Sequence, residues 1–207
     1  MSKLYMLRHG ETLFNVLWRK QGFCDSPLTE RGIQQAKNTG AYLREHGISF
    51  DHAYSSTSER ARDTLELIVP GMPYEALKGL KEWNFGTFEG VTEDVSPRPA
   101  KGDFYVQFGG EHEEEFKRRV FDTLVEIMRR PGHENVLAVS HGAACVRFPA
   151  VWGFDMRGYL VQNGFAAKSG SSAFGNCAYA VYEFDGDCGF ELIDYADPNQ
   201  SFGDRHR

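Results

Sequence analysis

The stretch Leu4-Tyr5-Met6-Leu7-Arg8-His9-Gly10-Glu11-Thr12 decides how the rest of the chain is read. Four apolar residues that give way at once to a cation, an imidazole and a glycine describe a short buried strand ending where polar chemistry begins. The same pattern returns twice. The segment from Phe50 to Tyr54 predicts a second strand running into Ser55-Ser56, and Val136-Leu137-Ala138-Val139 predicts a third running into Ser140-His141-Gly142. Between them, Ile33, Ala36, Gly40 and Leu43 recur at helical spacing, with Thr29 as N-cap and Gly47 as stop. Ser56-x-x-Glu59 has the spacing of a capping box opening another helix, with Arg60 in its first turn. Phe116, Val120, Phe121, Leu124, Ile127 and Met128 predict a long helix that ends before Pro131-Gly132, and a further apolar, helical segment runs from Gly142 to Trp152. Two alternating runs, Ala178 to Phe184 and Phe190 to Tyr195, joined by Asp185-Gly186-Asp187-Cys188-Gly189, predict a terminal hairpin.

Strands alternating with helices and closed by a hairpin imply an α/β fold with a mixed, mostly parallel sheet. The stretch from Val69 to Phe108, rich in proline and aromatic residues, breaks that rhythm and is expected to be an ordered loop or small cap. Residues 153–176 are expected to be loop, with Gly170-Ser171-Ser172 as linker.

With 41% hydrophobic and 25% charged residues, the 207-residue chain has globular composition, which excludes disordered, collagen-like and membrane-spanning classes. Its net charge of -6 argues against a nucleic-acid partner, since phosphate-backbone binding needs clustered surplus cations. Cys24, Cys145, Cys177 and Cys188 form no CxxC pair, and the first apolar run is too short for a signal core or a membrane span. A cytoplasmic protein is expected. His46, His52, His133 and His206 have no metal-ligand spacing, so neither metal nor cofactor is called for.

In an open α/β sheet, ligands bind beyond the carboxyl ends of the strands, so the three polar strand ends should converge on one site. That site would hold Arg8, His9, Arg60 and His141. Guanidiniums offer planar paired donors to phosphate oxygens, and backbone N–H groups at Gly10 and Gly142 could approach a phosphoryl group closely. One neutral imidazole could attack phosphorus while the second stabilises the developing charge.

The ordered series extends well beyond these residues. Arg8-His9-Gly10-Glu11-Thr12 with Asn15, Gln21-Gly22, Asp25-Ser26-Pro27-Leu28-Thr29, Ser55-Ser56 with Arg60, Glu82 with Gly86 and Glu89-Gly90, and Ser140-His141-Gly142 span most of residues 4–150. This series resembles the histidine phosphatase superfamily, which includes cofactor-dependent phosphoglycerate mutases and many phosphatases. The resemblance implies a three-layer α/β/α fold of the phosphoglycerate mutase type, a single domain over 1–207 with a cap insertion at about 84–112. It makes His9 the nucleophile that becomes phosphohistidine and Glu82 the general acid and base. Arg8, Arg60 and His141 would surround the phosphoryl group, with Asn15, Gln21, Gly22 and Gly142 at the substrate.

Phosphatases and mutases of this family differ in what accepts the phosphoryl group. The mutases typically carry a tyrosine after the acidic residue and a lysine past the glycines. Here the segment reads Glu82-Trp83-Asn84-Phe85-Gly86-Thr87-Phe88-Glu89-Gly90-Val91, with Phe85 in the tyrosine's place and no lysine at Val91 or Thr92. The form resembles the phosphatase branch, so hydrolysis of a small phosphomonoester is expected ahead of phosphoglycerate mutation, with oligomerisation left open. Where many relatives have Gly-Gly-Glu-Ser before the long helix, this chain has Gly109-Gly110-Glu111-His112, which removes the capping serine and leaves His112 as a solvated residue. Phe104, Tyr105 and Phe108 read as packing of the cap.

Overall fold

Successive residues of the first strand, β1 (Ser2–Arg8), point into two different cores. Leu4 and Met6 enter one, Tyr5 and Leu7 the other, which is the period-two alternation of a strand buried on both faces. The computed structural model describes residues 2–95, 102–166 and 173–200. Its remaining strands are β2 (His52–Ser56), β3 (Glu75–Leu77), β4 (Asn135–Ser140), β5 (Tyr179–Phe184) and β6 (Phe190–Ala196), in the sheet order β3-β2-β4-β1-β5-β6. The pairs from β3 to β1 are parallel, and those from β1 to β6 antiparallel.

Helices α2 (Glu30–Glu45) and α3 (Glu59–Ile68) cover one face, burying Ala36, Leu43, Ala61, Leu65 and Ile68 against Leu137 and Val139 of β4. On the other face lie α4 (Glu113–Met128), α5 (Gly142–Arg147) with the 3-10 turn Phe148–Trp152, and α6 (Met156–Gln162). The result is the α/β/α sandwich with a mixed, mostly parallel sheet. The short helix α1 (Leu13–Val16) lies between β1 and α2.

Several boundaries differ from expectation. The second strand starts at His52 rather than Phe50, because Asp51 is engaged before it: its carboxylate accepts from the amides of Glu134 and Asn135 at 2.9 and 2.7 Å. The edge strand β3 was invisible to apolar patterning, since Glu75 and Ala76 are exposed. Within 153–176, expected to be loop, α6 forms because the Asp155 carboxylate caps it by accepting from Gly158 N–H; Gly170-Ser171-Ser172 lies outside the described residues. The capping box at Ser56-x-x-Glu59 does not form. Ser56 ends β2, Ser58 is the N-cap and makes no side-chain cap bond, and the Ser56 hydroxyl is used elsewhere. Thr29 does cap α2, accepting from Gly32 N–H at 3.0 Å.

In the cap, Trp83, Phe85, Phe88, Phe104, Tyr105 and Phe108 interlock, with edge contacts such as Phe85–Tyr105 at 5.1 Å and Phe88–Phe108 at 4.9 Å between ring centres. These rings pack one another, as expected.

Candidate active site

β1, β2 and β4 run parallel in adjacent positions, so their carboxyl ends deliver Arg8, Ser56 and Ser140 to one edge of the sheet. His9 and His141 follow directly, with ring centres 5.3 Å apart. His9 Nδ1–H donates to the carbonyl oxygen of Gly10 at 2.7 Å. A carbonyl can only accept, so Nδ1 carries the hydrogen and Nε2 of the neutral ring holds a lone pair. Burial, then the Arg60 and Arg8 charges, push the His9 pKa well below its usual value and keep the ring neutral. The same causes, burial first and then Arg60 and the His9 ring, lower His141 well below its usual range. His141 Nε2 pairs with the Ser56 hydroxyl at 2.8 Å. Its buried Nδ1 has no hydrogen-bond partner among the described residues.

Arg8 borders a cavity of about 720 Å³ at this edge, together with His9, Asn15, Gln21, Glu82 and Gly142. One of its Nη groups donates to Phe174 O at 2.5 Å. Arg60 is placed differently from the expected paired phosphate donor. Its two Nη groups are occupied by the carbonyls of Cys24, Gln21 and Gly22 at 3.0–3.2 Å and by the Asp25 carboxylate at 2.8 Å. Only its buried Nε lacks a partner among the described residues. Arg60 thus fastens the 21–25 loop to α3 and contributes its charge to both imidazoles.

Glu82 sits in front of α5. Its carboxylate accepts from the amides of Ala143 at 2.8 Å, Trp83 at 3.0 Å and Ala144 at 3.1 Å. These donors and the Arg60 and Arg8 charges favour ionisation, but burial outweighs them and the pKa lies above the usual carboxylate value. A carboxyl group so held can exist protonated beside a basic site.

Two glycines have other duties than expected. Gly10 N–H donates to Thr64 Oγ1 at 3.0 Å, so it is not offered to a ligand, and a Cβ there would lie 2.6 Å from the Gly32 carbonyl oxygen of α2. Gly22 does not border the cavity: a Cβ there would meet Trp83 O at 2.1 Å, and its N–H donates to Glu89 at 3.0 Å. Glu89 also accepts from the amides of Phe23, Cys24 and Phe85, holding the loop onto the cap. Burial and the bond to Glu89 push the Cys24 thiol up to about 12, so no thiolate competes here with the imidazole. Gln21 borders the cavity, but its amide is tied to Thr12 Oγ1 at 2.7 Å and Ser26 Oγ at 3.1 Å.

Asn176 also belongs to the site, although the sequence does not single it out. It borders the cavity and its Nδ2 donates to His9 O at 3.0 Å and to Asn15 Oδ1 at 3.3 Å. An asparagine between a Gly/Ser-rich stretch and a strand carries no local signal that separates it from a turn residue. Ser56, whose hydroxyl meets His141, was hidden by its capping-box spacing. His112 is half-buried and also has a structural role: its Nδ1 accepts from Glu114 N–H at 3.1 Å and so caps α4. Among the described residues no cluster of three or more His, Cys, Asp or Glu side chains is placed to hold a metal ion, and no described helix is long and apolar enough to cross a membrane.

Known proteins are similar to this chain in sequence and in fold. The chain is 32% identical over 160 residues to a broad-specificity phosphatase of Saccharomyces cerevisiae, covering 72% of this chain and 69% of the yeast protein. Among solved structures, a phosphoserine phosphatase mutant of Entamoeba histolytica in complex with phosphoserine superposes with a TM-score of 0.75 at 25% identity, covering 97% of this chain and 99% of that one. A phosphoglycerate mutase of Bacillus anthracis superposes with a TM-score of 0.73 at 28% identity, covering 97% and 94%. The family model of the histidine phosphatase superfamily (branch 1) matches residues 4–150, and the chain belongs to that superfamily.

Proposed function

We propose that the chain is a phosphomonoesterase that hydrolyses a small phosphorylated metabolite through a phosphohistidine on His9. The observation that carries this reading is the His9 ring itself. Nδ1–H is committed to Gly10 O, so a bare Nε2 is left among cations that would hold a phosphoryl dianion. In the first step Nε2 attacks phosphorus and the bond to the leaving oxygen breaks, while the Glu82 carboxyl gives that oxygen its proton. In the second, the Glu82 carboxylate takes a proton from water, whose oxygen attacks phosphorus and breaks the P–N bond. Arg8, which borders the cavity, neutralises the phosphoryl oxygens. The Nδ1 edge of His141 and Nε of Arg60, both buried without a partner among the described residues and neither bordering the cavity, would be further donors to a phosphoryl group seated on His9. Asn15 and the start of α5 at Gly142 complete the surround. Residues 84–112 serve as a cap over this site within one domain spanning 1–207, in a cytoplasmic setting.

The alternative acceptor is a phosphoglycerate, as in the mutase to which the structure is similar. Phe85 borders the cavity with no hydroxyl to offer an acid group, which favours water. Quenching the enzyme with a labelled phosphomonoester should trap an acid-labile, base-stable phosphoenzyme that is absent in His9→Ala. A wild-type enzyme that turns over substrate and traps no label in single turnover would overturn the reading. A rate of phosphoglycerate interconversion exceeding hydrolysis would make it a mutase instead.

A further inference from the structure

Helix α1 ends in a way its sequence does not favour. Arg19 N–H donates to Phe14 O at 2.9 Å and Trp18 N–H to Asn15 O at 3.3 Å, the paired bonds of a Schellman stop. The residue at the left-handed position of that stop is Trp18, with φ of 52°. Glycine is the usual occupant, and a bulky side chain there is disfavoured. Burial does not explain the choice, since Trp18 is 64% exposed and has no ring partner among the described residues. Its backbone is nevertheless held: Glu93 N–H donates to Trp18 O at 2.7 Å, and Arg19 bridges to Thr92 of the cap.

What Trp18 does reach is the cavity beyond His9, which Phe14, Phe85 and Phe154 also border. The charged groups of that wall are matched within the protein. Arg19 donates to Gly90 O at 2.8 Å, Arg147 to Glu113 at 2.6 Å, and Glu93 pairs with Lys20 at 3.2 Å. Three of the rings are matched as well, Phe14 lying under Arg19, Phe85 packing on Tyr105 and Phe154 on Tyr159, which leaves the indole of Trp18 to meet a substrate. Strain retained at an exposed position beside a cavity points to use there rather than to packing.

Resting on the phosphatase reading, we propose that Trp18 is a specificity-determining residue whose indole contacts the leaving group, selecting phosphomonoesters of planar or bulky apolar alcohols over those of small polar ones. The phosphoryl group sits at His9 and the apolar part of the ester lies outward against Trp18 and Phe14.

The test compares kcat/KM for 1-naphthyl phosphate and O-phosphoserine in the wild type, Trp18→Gly and Trp18→Phe. Using both esters in every variant cancels the intrinsic reactivity of each leaving group. The glycine variant should lose about tenfold on the naphthyl ester and stay within about twofold on phosphoserine, while phenylalanine restores most of the loss. Because glycine suits the left-handed position, its thermal midpoint should not fall, which separates the effect from misfolding. Calorimetric binding of 1-naphthylmethylphosphonate, which cannot be hydrolysed, should weaken about tenfold in the glycine variant. Equal affinity in wild type and variant, or equal losses on both esters, overturns the inference. Absence of turnover on both esters would overturn the phosphatase reading, and the phosphonate titration would still decide the role of Trp18.

Discussion

The two ends of the central parallel strands each hold a pair of histidines, with Arg130 at one end and Arg8 and Arg60 at the other, and the two sets are wired in opposite ways. At the amino end, His52 and His133 stack with ring centres 3.8 Å apart. His133 Nδ1 meets Pro131 O at 3.1 Å and its Nε2 meets the Tyr54 hydroxyl at 2.6 Å. Arg130 bonds the same hydroxyl, Glu75 and Glu126. At the carboxyl end, His141 Nδ1 and Arg60 Nε are buried with no hydrogen-bond partner among the described residues, and both imidazoles are depressed by burial and by cations. Polar groups that satisfy one another hold a fold together. Polar groups buried at a cost beside a neutral imidazole are groups that a ligand could satisfy.

The largest effect that can break this contrast comes from Glu82. His9 must be neutral to attack, and its pKa lies well below 6.5, so the acid limb of kcat/KM should fall below pH 6.5. Glu82 must be protonated to assist departure, and its pKa lies above 4.5, so the rate should drop as pH rises through that raised value. Glu82→Gln should abolish the alkaline limb and lower kcat on alkyl phosphates by about 10²–10⁴-fold. On 4-nitrophenyl phosphate, whose leaving group needs no proton, the loss in kcat/KM, which reports the first step alone, should be far smaller. An alkaline limb that survives in Glu82→Gln would remove this residue from the chemistry.

Asn176 sharpens the comparison from the same end. Its amide holds the His9 carbonyl and the Asn15 side chain, and Asn15 Oδ1 keeps its bond from Thr12 N–H at 3.1 Å when the amide is lost. Asn176→Ala should therefore lower kcat about tenfold with KM moved less than about threefold, the cost of a misaligned nucleophile. A change in KM alone would make it a binding contact instead. Tyr54→Phe probes the opposite end. Losing the hydroxyl leaves His133 Nε2 unpaired in a buried place, so denaturant unfolding should register a loss of about 1–3 kcal/mol. The pH profile should not move; a shifted profile would mean that the two ends are coupled.

Much of this arrangement was legible in residue order, because a strand that ends in polar residues is a local pattern. Leu4 to Leu7 before Arg8-His9 and Val136 to Val139 before Ser140-His141 announce both the sheet and the edge where chemistry gathers. What was not legible depends on partners far along the chain. The saturation of Arg60 by residues 21–25 and the placement of Asn176 against His9 are set by tertiary contact, not by spacing. Strand β3 and helix α6 escaped for a different reason: one is a short exposed edge, and the other is a single cap and two turns inside a Gly/Ser-rich stretch.

His112 tests how far local capping chemistry alone can be trusted. The imidazole does what a serine would do at the start of α4, accepting from Glu114 N–H at 3.1 Å. Its neighbours do not depend on it: Glu111 is held by Arg119 at 2.8 Å and Glu113 by Arg147 at 2.6 Å. His112 also does not border the cavity, so no contact with a substrate is implied. His112→Ser exchanges one acceptor for a better N-cap at a helix whose first turn already carries three glutamates. Thermal or denaturant unfolding should show a gain of at most about 1 kcal/mol, with kcat/KM unchanged on every ester. This is the smallest effect expected, and its sign is informative. A loss of stability would mean that the ring is held by packing the cap bond does not capture, whereas a changed rate would extend the site across the cap to the start of α4.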